Sequence, residues 1–386
     1  MKAHRNYFLL CIISFLQGIV FYGPVATLYR QSRGISIYEI FLIESIFMIL
    51  MVAFEVPWGW IADRFGYKKT LVAAIFINFI ARLVFYRAHS FEMFLLERVL
   101  VAISISGVSG CDSALLYNSV DKENSVKAFG RYYSLSTFGF LLATSASTFI
   151  IPVSMDLAVA LTIIPYGLSA AAAFFLKDVR IEGAEKPSIA SSLKRALNNR
   201  QIFLLIVAVA LLTEVSHSVT VFLNQLQYQR SGIDVRYFGI IMAGIQLLKM
   251  FSSKTHVVSG ALGEGKTVGA MSFGIFAGTL LLVFANSPAS SVLLIAAVAM
   301  CDAMILPIYA DIQNKSINTA DRATILSIYA MAMDLIAAFA NLIIGRSANG
   351  SVQFSFAVCS AISLAAVLLI LFFFRREKQA LKVNPQ

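Results

Sequence analysis

The stretch GWIADRFGYKKT, residues 59–70, places an aspartate, an arginine and two lysines between two long apolar segments. Gly66 suits the tight turn that must reverse the chain there, and Gly59 would let a neighbouring backbone come close. The segments on either side, at about 37–60 and 69–88, are each long enough to cross roughly 30 Å of hydrocarbon. The stretch therefore predicts a charged loop between two membrane-spanning helices.

Apolar segments of this length recur along the whole chain. Of its 386 residues, 59% are hydrophobic and 13% are charged, and the mean hydropathy is +0.78, so little polar surface is left to cover a soluble core. The fold class we expect is an all-α membrane protein with twelve transmembrane helices. We place these at about 6–28, 37–60, 69–88, 92–116, 131–152, 156–176, 201–223, 236–256, 267–286, 290–311, 323–345 and 352–374.

The net charge of +10 would fit a nucleic-acid-binding protein, but the basic residues follow a membrane topology instead. With both termini in the cytoplasm, 22 of the 31 Lys and Arg residues fall on the cytoplasmic side and six, including Arg30, fall in outer loops. The remaining three, Arg82, Arg98 and Lys249, lie within spans. This asymmetry is the positive-inside pattern. It predicts a multi-pass protein of the plasma membrane, surrounded by lipid bilayer and without a nucleic-acid partner.

The two halves of the chain resemble each other. Residues 8–35 and 203–233 each contain one span followed by a tyrosine, basic residues and Gly-Ile. Such a duplication predicts two pseudo-symmetric six-helix halves with a site near the membrane midplane at their interface. We place the halves at 1–176 and 201–386, joined by a polar cytoplasmic linker at 177–200.

The loop at 59–70 resembles the signature that the major facilitator superfamily carries between spans two and three. The matching positions are Gly59, Asp63, Arg64, Gly66, Lys68 and Lys69. The resemblance implies a transporter in which Asp63 faces the positive N-terminus of the span-eleven helix. It also implies that Arg64 pairs with an acid at the cytoplasmic end of span four, where Asp112 is the candidate.

Weaker resemblances bear on the direction of transport. LLERVLVAIS, residues 95–104, is similar to the span-four arginine motif of the family, with Arg98 in the arginine position. SGCDSALLYNS at 109–119 and DRATILSIYA at 321–330 resemble the bacterial branch that is rich in efflux pumps. GFLLATSAST at 139–148, however, lacks the Gly-Pro pair and glycine cluster that a typical drug antiporter carries in span five. The direction of transport therefore stays open at this point.

Four charged residues fall in the middle third of spans that line the cavity in this family: Glu214, Lys249, Asp302 and Asp334. A charge at mid-helix in a bilayer costs about 3 kcal/mol on the lenient insertion scale. A structural ion-pair network is one explanation, but one lysine cannot neutralise three carboxylates. At least one carboxyl is therefore expected to be protonated at rest, which is the state that proton coupling requires.

Further polar residues are candidates in the same cavity. His217 shares a helix face with Glu214 and would either share its proton or simply form a hydrogen bond in the bundle. In the first half, Glu44 and Arg98 are expected to pair, and Gln17 is a weaker candidate. Arg82 lies on a supporting span, so we expect it to snorkel or to pair with Glu44 more than to contact substrate.

Nothing in the sequence indicates an enzyme. A phosphate-binding loop of the Walker type, a nucleophile elbow and metal-ligand spacings are all lacking, so no cofactor or metal is expected. The leading hypothesis is a monomeric secondary transporter that exports small organic solutes in exchange for protons. The alternatives are a proton-coupled symporter importing a nutrient or organic anion, a lipid flippase, and a receptor that does not transport.

Overall fold

The computed structural model describes residues 2–120, 125–178, 200–317 and 322–383. Within these ranges the chain is helical and has no β-strand, as the hydropathy pattern predicts. A helix satisfies its backbone hydrogen bonds internally, which a segment surrounded by hydrocarbon must do. The predicted linker, 177–200, lies almost entirely outside the described residues.

The described residues fall into two compact units. The first unit comprises those between Met1 and Ala184 together with Asp234–Ala243. Its helices are α1 (Lys2–Gly18), α2 (Ala26–Ser32), α3 (Ile37–Phe65), α4 (Tyr67–Arg87), α5 (Phe91–Val108), α6 (Cys111–Tyr117), α7 (Ser125–Ile150) and α8 (Met155–Phe174).

The second unit comprises the described residues of Glu185–Ile233 and Gly244–Gln386. Its helices are α9 (Arg200–His217), α10 (Asn224–Arg230), the end of α11 (Phe238–Lys249), α12 (Thr255–Leu262), α13 (Glu264–Phe284), α14 (Pro288–Lys315), α15 (Arg322–Ala348) and α16 (Val352–Val383). Helix α9 packs against α15 and α16 inside this unit.

Eleven helical segments of the described ranges are long and apolar enough to cross a membrane. They correspond to eleven of the twelve predicted spans. The predicted fifth span is also a helix, the 26-residue α7, whose hydropathy is lowered by serines and threonines. Several of these hydroxyls bond to the preceding turn, as when Thr144 Oγ1 donates to the Phe140 carbonyl at 2.8 Å. Their polarity is thereby satisfied within the helix.

The turn predicted at Gly66 is confirmed. Gly66 has φ +91° and separates α3 from α4, and Gly263 has φ +85° and separates α12 from α13. A side chain rarely tolerates this conformation, so glycine is the natural residue at both places. The two turns occupy matching positions in the sequence repeat.

Four of the predicted spans, the first, fourth, seventh and eighth, are not continuous α-helices. The first breaks after Gly18, and a 3₁₀ turn at Gly23–Val25 that contains Pro24 leads into α2. Proline lacks an N–H donor and interrupts the helical hydrogen bonds there. The seventh passes through a π-helix at Ser218–Leu223, directly after α9. Single π turns within α-helices occur frequently at functional sites.

Helices α1 and α7 cross at close range within the first unit. A Cβ atom added at Gly139 would lie 2.3 Å from the Phe15 carbonyl oxygen, and one added at Gly18 would lie 2.2 Å from that of Ser136. Both distances are far below van der Waals contact. Small residues let helix backbones approach in this way, which is how membrane helices associate without a hydrophobic driving force.

We expect Gly139→Ala to destabilise the protein by about 1–3 kcal/mol, because the backbone of α1 must move to make room for the methyl group. The measurement is the thermal unfolding midpoint of the purified protein in detergent. Gly130→Ala on the same helix is the control, since a Cβ there meets no atom within 4 Å. Equal midpoints for the two variants would contradict the close crossing.

Candidate functional site

The carboxyl of Glu214 is buried in the second unit, with 2% of the residue exposed. The hydroxyl of Ser218 donates to its Oε1 at 3.0 Å, and Nδ1 of His217 lies 3.7 Å from its Oε2. The three residues therefore form a local group at the end of α9 and the start of the π-helix. The predicted proximity of Glu214 and His217 is confirmed.

Asp302 of α14 is the second buried carboxyl of this unit, with 7% exposure. The hydroxyls of Thr213 and Ser216 on α9 face it, and Lys249 and a protonated His217 act on it as nearby positive charges. Its Oδ1 is buried and makes no hydrogen bond to any described group. Helices α9, α11 and α14 thus bring two carboxyls, a lysine and a histidine into one polar region, which we call the acidic cluster.

Asp334 lies half-buried near the middle of α15. Its participation in the acidic cluster stays a prediction. Lys249 is the last residue of α11, and the chain continues from it as a 3₁₀ turn, Met250–Lys254. Two residues of the acidic cluster, His217 and Lys249, therefore stand directly before a change of helix type.

In the first unit, the predicted pairing of Arg98 with Glu44 is confirmed. Nη2 of Arg98 lies 3.1 Å from Oε2 of Glu44, and the guanidinium lies over the ring of Phe47, with its Cζ 5.2 Å from the centroid. Glu44 is buried, and Arg98 keeps about a fifth of its side chain exposed. Arg98 is thus the less buried member of this pair.

The expectations for Arg82 are wrong. Arg82 is buried rather than snorkelling, and its partner is Glu97, at 3.6 Å, rather than Glu44. Its Nη1 donates to the Tyr22 hydroxyl at 2.6 Å and its Nη2 to Asn78 at 3.0 Å. Glu97 on the neighbouring helix α5, Tyr22 in the turn before the 3₁₀ segment and Asn78 on the same helix hold the guanidinium deep in the unit, so the side chain does not extend towards the surface.

Tyr166 and Gln17 complete this region. The ring of Tyr166 stacks on the Arg82 guanidinium, with 4.6 Å between Cζ and the ring centroid. Its hydroxyl donates to the Gln17 carbonyl at 2.9 Å. The side chain of Gln17 is half-buried, and its buried Nε2 donates to no described group.

The assignment of Arg30 to an outer loop is also wrong. Arg30 lies on α2 with 4% exposure, and its guanidinium stacks on Phe85 at 5.1 Å and on Phe94 at 5.9 Å. Arg98, Glu97 and Glu44 all act on its charge. Hydropathy alone predicts that the first span ends before Arg30. In the structure a helix resumes after the break and places Arg30 in the interior of the first unit.

The sequence reasoning missed Glu97, which is fully buried on α5. Neither of its carboxylate oxygens makes a hydrogen bond to a described group, and Arg82 is its ion-pair partner. A signal was present, because Glu97 and Arg98 are adjacent charges inside an apolar segment and must point to different helix faces.

The predictions for the signature loop at 59–70 are only partly confirmed. A Cβ at Gly59 meets no described atom within 4 Å, so the close approach expected there is absent. Arg64 lies over the rings of Trp60 and Phe65, while Asp112 accepts hydrogen bonds from the Tyr132 hydroxyl and from Ser113.

The expected ion pair between Arg64 and Asp112 is therefore not found among the described side chains. Lys68 is half-buried near the start of α4. The backbone of Asp63 lies in α3, but its side chain is outside what the structure describes.

Ionisable side chains inside membrane-spanning helices are costly and mark the pathways of ions and polar solutes. The fold and these clusters together define a helical membrane transporter. A family model of the Major Facilitator Superfamily matches residues 7–340, and the chain belongs to this family. Its relatives and structural neighbours are transporters rather than enzymes.

Two relatives match about a third of the chain. An uncharacterized transporter of Buchnera aphidicola subsp. Schizaphis graminum is 31% identical over 139 residues, which cover 35% of this chain and 33% of the relative. An uncharacterized MFS-type transporter of Methanocaldococcus jannaschii is 25% identical over 141 residues, 36% of each chain. The match thus spans about a third of these relatives' length.

Solved structures share the fold over nearly the whole chain. A variant of the nucleoside transporter NupG superposes with a TM-score of 0.83 at 15% identity, covering 96% of this chain and 100% of its own. The peptide transporter POT in complex with sulfate gives 0.78 at 14% identity, covering 97% and 94%. At these identities the similarity establishes the fold and leaves the substrate to be argued from the residues.

Proposed function

We propose that the chain is a proton-coupled secondary transporter of small organic solutes. The observation that carries the proposal is the burial of Glu214 and Asp302 in one region of the second unit, where Lys249 is a cationic neighbour of Asp302 and His217 lies beside Glu214. A buried carboxylate is costly unless it is paired, and protonation is one way to remove that cost. A carboxyl that binds a proton in one state and releases it in another is what coupling requires.

The transport cycle we propose is alternating access. Two six-helix halves, residues 1–176 and 201–386, would rock about the bound solute, with the segment 177–200 as their cytoplasmic linker. The protein would act as a monomer in the plasma membrane, with both termini in the cytoplasm. The surplus of Lys and Arg in the predicted cytoplasmic segments supports this orientation.

Export is the direction that we propose first, supported by the resemblance of 109–119 and 321–330 to efflux pumps. Proton symport that imports an organic anion is the second candidate. It is favoured by the arginines of the first unit, because Arg30, Arg82 and Arg98 are unusual companions for a cationic drug. The two candidates use the same carboxyls and differ in the sign of coupling.

Reconstitution in proteoliposomes distinguishes them. We expect solutes supplied on one side to cause proton movement that is detected by a pH-sensitive dye inside the vesicles. Proton movement against the solute flux would establish antiport, and movement with it would establish symport. Scrambling of labelled lipid without any solute-driven proton movement would replace both candidates with a flippase.

The role that the family resemblance implies for Asp63 gives a further prediction. If its charge stabilises one state of the cycle through the N-terminus of the span-eleven helix, Asp63→Asn should slow transport several-fold, since such a contact contributes up to about 2 kcal/mol. Substrate affinity should stay close to that of the wild type. Transport rate and equilibrium binding are measured on the same preparation. A variant that transports at the wild-type rate would exclude this role.

A further inference from the structure

Five charged side chains lie together inside the first unit, and we call them the arginine cluster: Arg30, Arg82, Arg98, Glu44 and Glu97. They come from four helices, α2, α3, α4 and α5. With all five groups ionised, the cluster has three positive and two negative charges, and therefore a net charge of +1. An uncompensated charge in a buried site is strongly unfavourable, so the cluster favours one further anion.

The three guanidiniums also have hydrogen-bond donors to spare. The Nε atoms of Arg30, Arg82 and Arg98 are all buried, and none of them donates to a described group. More than nine in ten buried polar groups in proteins have a hydrogen-bond partner. A buried group without one costs about as much free energy as a lost hydrogen bond. Three unsatisfied donors in a single cluster indicate an acceptor with several oxygen atoms.

Aromatic rings determine which parts of the guanidiniums remain available. Arg30 stacks on Phe85, Arg82 on Tyr166 and Arg98 on Phe47. Stacking covers the faces of the planar guanidinium and leaves the N–H groups at its edge for hydrogen bonding. The edges of arginine are suited to bidentate contacts with carboxylate and phosphate.

We propose that the arginine cluster binds the oxyanion of the transported solute, which makes the substrate a small organic anion bearing a carboxylate or a phosphate group. This inference rests on the proposed function, because it names the class of solute that the transporter carries. A singly charged oxyanion brings the cluster to neutrality and accepts from the Nε–H donors that have no described acceptor. Glu97 competes with it for Arg82, the cation 3.6 Å away.

The test measures ligand binding to the whole chain in detergent. The readout is the change in the thermal unfolding midpoint of the protein. The probes are succinate, benzoate and inorganic phosphate, with benzamide as the uncharged analogue of benzoate. A ligand that binds the folded state raises the midpoint with its concentration. We expect at least one anion to do so and benzamide not to. Response to the carboxylates or to phosphate identifies the head group, and protection by none of the three anions overturns the proposal.

Variants make the assignment specific to the cluster. Glu97→Gln should tighten anion binding about tenfold, since it removes the competing negative charge, and Arg82→Lys should weaken it about tenfold through the lost edge contacts. A gain in affinity cannot come from misfolding. Arg87→Gln, which removes an exposed charge from the same helix, should leave affinity unchanged. No gain in Glu97→Gln, no loss in Arg82→Lys, or equal loss in Arg87→Gln would each overturn the proposal.

The binding measurement uses neither a membrane nor a proton gradient. Its result is therefore independent of proton coupling by the acidic cluster in the second unit. If the vesicles show no proton movement while the variants change anion affinity as expected, the anion site stands and the coupling proposal fails. If instead the vesicles show proton movement and the variants leave anion affinity unchanged, proton coupling is retained and the anion site is rejected.

Discussion

Asp302→Asn is expected to abolish uphill transport while solute exchange across the membrane continues. The amide has the size of the carboxyl but is neutral in every state of the cycle, so it cannot carry a proton. Transport should then only equilibrate the solute, whatever the proton gradient. Glu214→Gln should behave in the same way if its carboxyl is the one that titrates, and Asp334→Asn tests the third predicted carboxyl. Uptake against a gradient and exchange are measured side by side in the same vesicles.

Asp311→Asn is the matched control for these variants. Asp311 lies on the same helix as Asp302 but is half exposed, and its carboxylate pairs with Lys315 at 2.5 Å. An exposed pair of this kind contributes little, so the control should accumulate solute like the wild type. If all three amide variants do so as well, the acidic cluster is structural and proton coupling does not pass through it.

Arg98→Ala is expected to destabilise the protein by about 3–5 kcal/mol, because it leaves Glu44 buried without its cationic partner. Expression and the thermal unfolding midpoint should both fall. Arg98→Lys keeps the charge and loses the planar guanidinium that stacks on Phe47. It should fold but transport about tenfold more slowly if the guanidinium edge binds solute.

The double variant Arg98→Gln with Glu44→Gln separates stability from transport. Removing both charges avoids the unpaired carboxylate, so much of the lost stability should return. Transport should stay impaired, because the guanidinium is still missing. Normal transport in Arg98→Lys or in the double variant would mean that the pair only supports the fold.

The sequence was sufficient for the fold and for the charges that stand alone in apolar segments. Glu214 and Asp302 were identifiable because nothing nearby in the sequence explains an ionisable group at that depth. The turn at Gly66 was predictable for a similar reason, since a span must reverse there and only glycine readily adopts the required φ. These features depend on local sequence and on the thickness of a bilayer.

Contacts between helices could not be predicted from the sequence in this way. The partner of Arg82 depends on how α4 and α5 are rotated against each other, and hydropathy does not fix that rotation. Arg30 was assigned to a loop because the break in the first span hid the helix beyond it. The open surroundings of Gly59 show that a family motif can keep a glycine whose neighbours are not close in this chain.

The break in the first span and the π-helix in the seventh occupy corresponding places in the sequence repeat. Gly23–Val25 stands 15 residues after the start of the segment 8–35, and Ser218 stands at the same offset from the start of 203–233. A helix bends most readily where its regular hydrogen bonds are interrupted. Each leading helix therefore has a built-in joint, beyond which its second part can change direction while the first stays packed. If the proposed alternating access takes place, bending at these two joints would let parts of each helix move without tilting the whole helix as a rigid rod.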